Sequence, residues 1–128
     1  MQITSSAVSL TVEDVEASAS FLREHFGFAE QMAADGFVSL GHGSAGVNVV
    51  FLRRGTEVLP EEYRDQVAAG LILAFVVGDV AAEEARLRAA GVEITMPLRE
   101  EPWGERLFQV TDPNGVVVQL VEWAEQQH

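Results

Sequence analysis

Residues 101–123 read EPWGERLFQVTDPNGVVVQLVEW and contain two strand-like runs on either side of the segment Asp112-Pro113-Asn114-Gly115. Proline fixes φ near the value that the second position of a turn needs, and Asn-Gly accepts positive φ afterwards. The flanking residues alternate in character with the two-residue period of a half-buried strand. This stretch therefore predicts a β-hairpin.

The register of this hairpin determines which side chains share a face. We predict that Thr111 pairs with Val116. One face then carries Arg106, Phe108, Val110, Val117, Gln119 and Val121, and the other carries Leu107, Gln109, Thr111, Val116, Val118 and Leu120. The second set is apolar enough to pack against helices, whereas the first has the mixed composition of a ligand-facing surface.

The start of the chain predicts a strand followed by a helix. Residues 7–12 (AVSLTV) alternate, and Asp14 stands where a helix N-cap is needed, before apolar residues that recur at helical spacing. Gly27 suits the C-terminal end of that helix. Three short strands are then predicted at 28–32, 36–40 and 47–53.

The second half repeats this order. After a polar connection with a short helix at 56–69, aligning residue 7 with residue 72 matches strand, aspartate, helix and glycine in turn. We predict a strand at 72–77, a helix at 80–90, a strand at 92–96, a loop at 97–104 and then the hairpin. The fold class is therefore α+β, with two tandem βαβββ modules (about 1–55 and 70–128) in one domain of residues 1–128.

Composition excludes several classes of function. The chain has 128 residues and no cysteine, which excludes disulfides, thiolate catalysis and zinc–thiolate sites. A net charge of −12 argues against nucleic acid as a partner and favours cationic ligands. No apolar run reaches the length of a membrane span and the N-terminus lacks a signal-peptide pattern, so we expect a cytoplasmic protein that does not bind membranes.

The two predicted modules resemble the vicinal-oxygen-chelate superfamily, which includes glyoxalase I, the extradiol dioxygenases and the bleomycin-resistance proteins. VSLTVEDVEAS and FLREHFGF open the first module, and DPNGVVVQLVE closes the second. The resemblance covers nearly the whole chain, and PWG followed by DPNG is its most specific part. It implies two curved mixed sheets around a cleft, and a homodimer.

Enzymes of this superfamily hold a divalent metal through His, Gln or Glu on inner strand faces. The corresponding positions fall here on Ala7, Val50, Ile72 and Gln119. Aliphatic side chains have no lone pair for a metal, and Gln119 alone is a weak ligand. The three histidines, at 25, 42 and 128, fall in a helix end, a turn and the C-terminus. The resemblance therefore implies the metal-free, bleomycin-resistance-like branch, with no metal, no cofactor and no assigned catalytic residue.

A cleft for a planar or hydrophobic ligand needs apolar walls with a few placed polar groups. We expect ligand contacts from Ser9, Phe37, Ser39, Asn48, Val50, Tyr63, Trp103, Arg106, Phe108 and Gln119. Other interpretations stay open: Phe37 and Phe108 as plain core, Trp103 as a loop anchor, and Tyr63 as part of a dimer interface.

Three functions are compatible with these patterns. The favoured one is a binding protein that confers antibiotic resistance by sequestering a small-molecule natural product, either cationic or planar and aromatic. The alternative is a lyase- or isomerase-type enzyme acting on a small substrate, which needs a general base that the predicted inner faces do not supply. A module that binds another protein is the third hypothesis, and no surface pattern selects it.

Overall fold

The computed structural model describes residues 1–123, in which the chain forms two units that divide between Ala69 and Gly70. Each unit contains one α-helix and one four-stranded mixed sheet. The predicted α+β class and the two βαβββ modules are confirmed. We call residues 1–69 module 1 and the residues from 70 onward module 2.

Module 1 begins with the strand and helix that its sequence predicted. Its elements are β1 (Ala7–Val12), α1 (Val15–Phe26), β2 (Ala29–Ala34), β3 (Phe37–Gly41) and β4 (Asn48–Arg53). The sheet order is β1-β4-β3-β2; β1 and β4 are parallel, and the other pairs are antiparallel. Because parallel strands need a crossover, the helix α1 lies between them in sequence.

The helix α1 is bounded by two specific residues. The Asp14 side chain accepts a hydrogen bond from Ala17 N at 3.1 Å, which satisfies one of the free amides of the first turn. Gly27 ends the helix at φ 73°, in the left-handed region that a side chain disfavours. Between these caps, Val15, Ala19 and Leu22 are buried.

Module 2 repeats the same order. Its elements are β5 (Ile72–Val76), α2 (Val80–Ala89), β6 (Ile94–Glu100), β7 (Glu105–Thr111) and β8 (Val117–Trp123). The sheet order is β5-β8-β7-β6, with β5 and β8 parallel. Asp79 caps α2 by accepting from Ala82 N at 3.0 Å. The predicted internal repeat is therefore present in the structure.

Each sheet buries one face under its own helix, and this face forms the core. The fully or almost fully buried strand residues of this face are Leu10, Val12, Leu40, Val49 and Phe51 in module 1, and Phe108, Val110, Val118 and Leu120 in module 2. Burial of such side chains contributes roughly 1.5–3 kcal/mol each. We call this the helix side of the sheet and the opposite surface its open face; on the open faces Val50, Leu52, Leu107 and Val121 are buried as well.

The prediction of a strand at 92–96 followed by a loop at 97–104 is wrong, because β6 runs from Ile94 to Glu100 and includes Pro97. Proline cannot donate to a strand partner, but β6 is an edge strand, where a missing amide costs no ladder bond. The next amide, of Leu98, donates instead to the Glu84 carboxylate of α2 at 2.9 Å.

The predicted hairpin forms, but its register is wrong by one residue: Thr111 pairs with Val117 instead of Val116. Asp112 N donates to Val116 O at 2.9 Å, and Gly115 N donates to Asp112 O at 3.0 Å. Residues 113–115 therefore form a three-residue loop, and Gly115 takes the positive φ of 90° that its last position needs.

The Asp112 carboxylate stabilises this loop. It is buried, and Oδ1 accepts hydrogen bonds from Asn114 N and Val116 N, both at 2.8 Å. Pairing Thr111 with Val116 would move the Val116 amide into the strand ladder and away from this carboxylate. The carboxylate therefore favours the observed register.

The connection between the modules contains the predicted short helix, a 3-10 turn at Glu61–Tyr63. Gly55 N donates to Arg64 O at 2.7 Å, which closes the segment into a loop. Arg54 forms ion pairs with Glu13 and Asp65, and these pairs raise the pKa of Arg54 and lower that of Asp65. No helix within residues 1–123 has the length and apolar character to cross a membrane.

We predict that Asp112→Ala lowers the free energy of unfolding by about 1–3 kcal/mol, because two amides of the loop lose their acceptor. Chemical denaturation of the variant and the wild type measures this change. Asp112→Asn is the matched control, since it keeps an oxygen at Oδ1 and should retain most of the stability. Equal losses in both variants would contradict this role for the carboxylate oxygen.

Candidate functional site

The open face of module 1 carries polar and apolar side chains in paired rows. Ser9 pairs with Val50, and Val50 pairs with Ser39; in the next row Thr11 pairs with Leu52, and Leu52 with Phe37. Asn48 pairs with Ala7 at the other end of the same face. The structure therefore brings five of the predicted contact residues onto one face: Ser9, Phe37, Ser39, Asn48 and Val50.

A bulge in β2 adds a side chain that the strand pattern did not predict. Glu30 pairs with Leu40 and Met32 with Ser39, so Gln31 is an extra residue in the edge strand. Ser39 Oγ donates to Gln31 Oε1 at 3.2 Å. The bulge breaks the two-residue period, which explains why alternation alone missed Gln31.

Gly41 makes room for the Gln31 amide. A Cβ at Gly41 would overlap the side-chain amide of Gln31 and would lie 3.2 Å from Asn48 Oδ1. The amide of Gln31 therefore lies over a glycine, with Ser39 on one side and Asn48 near it. Together they form a neutral hydrogen-bonding cluster on an otherwise mixed face.

The open face of module 2 is more apolar and has two amides at its centre. Its strand residues are Ile72, Ala74 and Val76 of β5, Glu105, Leu107, Gln109 and Thr111 of β7, and Val117, Gln119, Val121 and Trp123 of β8. Gln119 pairs with Ala74 on one side and Gln109 on the other. Gln109 Nε2 donates to Gln119 Oε1 at 2.8 Å.

A second bulge adds a hydroxyl beside these amides. Thr95 is an extra residue between the Ile94 and Met96 pairings of β6, at the position that Gln31 takes in module 1. Its Oγ1 donates to Gln109 O at 3.2 Å and lies 3.0 Å from Thr111 Oγ1. Both modules therefore use an edge bulge to place a polar side chain beside the open face.

The register of the hairpin moves two predicted residues off this face. Phe108 pairs with Leu120 on the helix side and is 0% exposed, so it belongs to the core. Arg106 is on the helix side too, where Nη1 lies 3.8 Å from Glu122 Oε1. The same oxygen accepts from Val80 N at 2.9 Å and so caps the start of α2.

Two further predicted residues lie outside the sheet faces. Tyr63 ends the 3-10 turn of the connection and is 50% exposed. Trp103, in the loop before β7, is 64% exposed, and its Nε1 donates to Glu105 Oε1 at 3.0 Å. Glu105 pairs with Trp123 and shares the open-face phase of β7. The predicted register hid Glu105, because it assigned β7 the opposite facing.

The four positions that hold a metal in the superfamily's enzymes do not fit one here. Ala7, Val50 and Ile72 lie on open faces and carry only aliphatic carbon, and Gln119 Oε1 already accepts a hydrogen bond from Gln109. Within residues 1–123 there is no group of three or more His, Cys, Asp or Glu side chains placed to bind a metal ion.

We predict that Gly41→Ala displaces the Gln31 side chain while leaving the fold intact. The glycine has no positive φ, so alanine suits the strand, and the free energy of unfolding should change by less than about 1 kcal/mol. The side-chain NH₂ resonances of Gln31 should shift in an NMR spectrum. Gly43→Ala, where an added Cβ meets nothing within 4 Å, is the control. Unmoved Gln31 resonances in the Gly41 variant would contradict this packing.

Comparisons with known proteins agree with this architecture. A crystal structure of a glyoxalase/bleomycin resistance protein/dioxygenase from Nocardioides is 22% identical, with a TM-score of 0.78 over 99% of this chain and 87% of the other. TnmS3, an antibiotic binding protein from Streptomyces sp. CB03234, is 25% identical, with a TM-score of 0.71 over 95% and 98%. Lactoylglutathione lyase from Agrobacterium tumefaciens is 18% identical, with a TM-score of 0.74 over 94% of each chain.

No curated protein matches the sequence. A family model does match: residues 4–120 fit the one described as the Glyoxalase/Bleomycin resistance protein/Dioxygenase superfamily, which covers most of the chain. The chain therefore belongs to the glyoxalase/bleomycin resistance protein/dioxygenase superfamily.

Proposed function

We propose that this protein binds a small-molecule natural product without a metal and confers antibiotic resistance by sequestering it. The observation that carries the proposal is the chemistry of the open faces. They combine aliphatic surface with neutral hydrogen-bonding groups. At three of the four positions where the superfamily's enzymes hold a metal, they carry aliphatic side chains. Binding sites for small molecules have this composition of apolar walls with a few placed polar groups.

The exposed apolar surface of module 2 supports a planar ligand. Ile72 and Val76 on the open face are 51% and 67% exposed, and Trp103 is also largely exposed. An aromatic ring contributes a large apolar contact at low entropic cost, and flat ligands stack on it. Side chains of this kind, exposed together in one module, favour a flat hydrophobic molecule over a small polar metabolite.

Charge supports a cationic group on that ligand. The chain carries a net charge of −12, which attracts cations over long range. Locally, the Glu105 carboxylate lies beside the exposed indole of Trp103, so one position offers both an anion and an aromatic face. Sequestration needs only affinity and concentration, and no group for proton transfer.

Similarity to an antibiotic-binding protein also supports this proposal. TnmS3 is 25% identical over nearly its whole length, and it binds an antibiotic. The lyase from Agrobacterium tumefaciens shares the fold, but similarity at 18% identity does not indicate a shared activity. The observation that favours the alternative, a lyase- or isomerase-type enzyme, is Glu105, a carboxylate with the facing that a general base on this surface would need.

Two measurements separate binding from catalysis. Calorimetric titration of a panel of planar polyketide and glycopeptide antibiotics should give a dissociation constant of about 1 μM or tighter for at least one compound. The bound compound should be recovered with unchanged mass after long incubation. A panel without any binder would overturn the proposal. A changed mass that disappears in Glu105→Gln would establish the enzyme instead.

We predict that Trp103→Ala weakens binding of the antibiotic found in that panel by about 1–3 kcal/mol, since exposed aromatic anchors contribute this much when they stack on a ligand. Calorimetry measures the change, and Trp103→Phe is the matched control that keeps a ring and part of the affinity. If both variants bind as tightly as the wild type, Trp103 is only a loop anchor.

We also propose that the protein is a cytoplasmic homodimer. The superfamily resemblance motivates the dimer, and exposed Tyr63 is the interface residue that the sequence suggested. Native mass spectrometry reports the number of subunits and any small molecule that co-purifies. A monomer at micromolar concentration would remove the dimer from this proposal without affecting the binding function.

A further inference from the structure

We propose that the amides of Gln109 and Gln119 together recognise a neutral donor–acceptor edge on the ligand, such as the adjacent N–H and C=O of a lactam or imide. This inference rests on the proposed binding function and gives it a chemical class. It assigns a role to Gln109, which the predicted register had placed on the helix side, and it redefines the role of Gln119.

The two glutamines are held together by the strand pairing. Asp112 and Val116 share a backbone hydrogen bond, and hydrogen-bonded and non-hydrogen-bonded pairs alternate along an antiparallel ladder. Gln109 and Gln119 therefore form a non-hydrogen-bonded pair, in which side chains approach each other most closely. Their amides meet at 2.8 Å, so each orients the other.

The pair leaves a defined set of groups for a ligand. A primary amide offers an oxygen acceptor and an NH₂ donor, and one shared hydrogen bond uses one of each. What remains is the oxygen and one N–H on the glutamine that donates, and both N–H groups with one oxygen lone pair on the glutamine that accepts. In the part of the chain that the structure describes, these remaining groups make no other side-chain hydrogen bond, and both residues are half-buried.

The surroundings make this pair selective. Val117 and Val121 flank Gln119 along β8, and Leu107 and Thr111 flank Gln109 along β7, so the neighbours are mostly apolar. In such apolar surroundings a polar group that loses water without gaining a partner is costly. A ligand that covers the pair must therefore replace the hydrogen bonds to water that the two amides lose, or it binds weakly. On the far side of Gln119, the small side chain of Ala74 leaves space for a flat ring.

The amide pair also selects against charged ligand groups. A carboxylate has only acceptors and would meet the free glutamine oxygen, whereas a guanidinium has only donors and would meet the free NH₂. A metal ion would find only neutral amide oxygens in this pair, and these are weak ligands on their own. At the position where the superfamily's enzymes hold a metal, this chain therefore offers a neutral, two-point recognition element.

The test compares two planar probes by calorimetry: phenanthridinone, which has a lactam N–H beside its carbonyl, and N-methylphenanthridinone, which lacks the N–H. We expect the wild type to bind the lactam about ten-fold more tightly, the effect of one hydrogen bond in apolar surroundings. Gln109→Met and Gln119→Met should each bring this ratio close to one. Gln66→Met in the connection is the matched control and should keep the wild-type ratio.

The outcomes separate this inference from the function on which it rests. Equal binding of both probes by the wild type overturns the amide recognition but leaves ligand binding intact. A ten-fold preference that survives both Gln109→Met and Gln119→Met places the recognition elsewhere and also overturns the inference. Absence of binding by either probe, together with an antibiotic panel that yields no binder, removes the proposed function and the inference with it.

Discussion

The candidate site on module 2 depends on the carboxylate of Asp112. Its two hydrogen bonds to the amides of Asn114 and Val116 hold a three-residue loop. The loop length determines the register of β7 against β8, and a shift of one residue would exchange every side chain between the two faces. With the observed register, the core receives Phe108 and the open face receives Gln109.

Much of the fold could be predicted because local signals agree with one another. In both modules an alternating strand leads to an aspartate that caps a helix, and the residues of β1 and α1 were predicted within one position. The register of the hairpin could not be predicted from the same reasoning, since DPNG is compatible with more than one loop length. The difference depends on two backbone hydrogen bonds that the Asp112 side chain accepts, which alternation does not encode. The bulges could not be predicted either, because Gln31 and Thr95 each interrupt the two-residue period from which a strand residue's facing is inferred.

The candidate site was predictable only where the register was right. In module 1 the pairing of Ser9, Val50 and Ser39 agrees with the predicted facing, so those residues lie together. In module 2 the predicted register wrongly placed Arg106 and Phe108 on the open face, whereas the observed register puts Glu105 there. The charged groups then divide by role: Arg106 and Glu122 stabilise the helix side, while the centre of the open face stays neutral. A neutral surface with paired amides is better suited to binding a planar ligand than to binding a metal ion.

The most direct test of this account is the register of β7 against β8 in solution. In a non-hydrogen-bonded antiparallel pair the two Hα atoms face each other at short distance. We therefore expect a strong nuclear Overhauser effect between the Hα atoms of Gln109 and Gln119, and close contact between their side-chain amides. A strong effect between the Hα atoms of Phe108 and Gln119 instead would indicate the other register. Phe108 would then lie on the open face, and the surface described here would be contradicted.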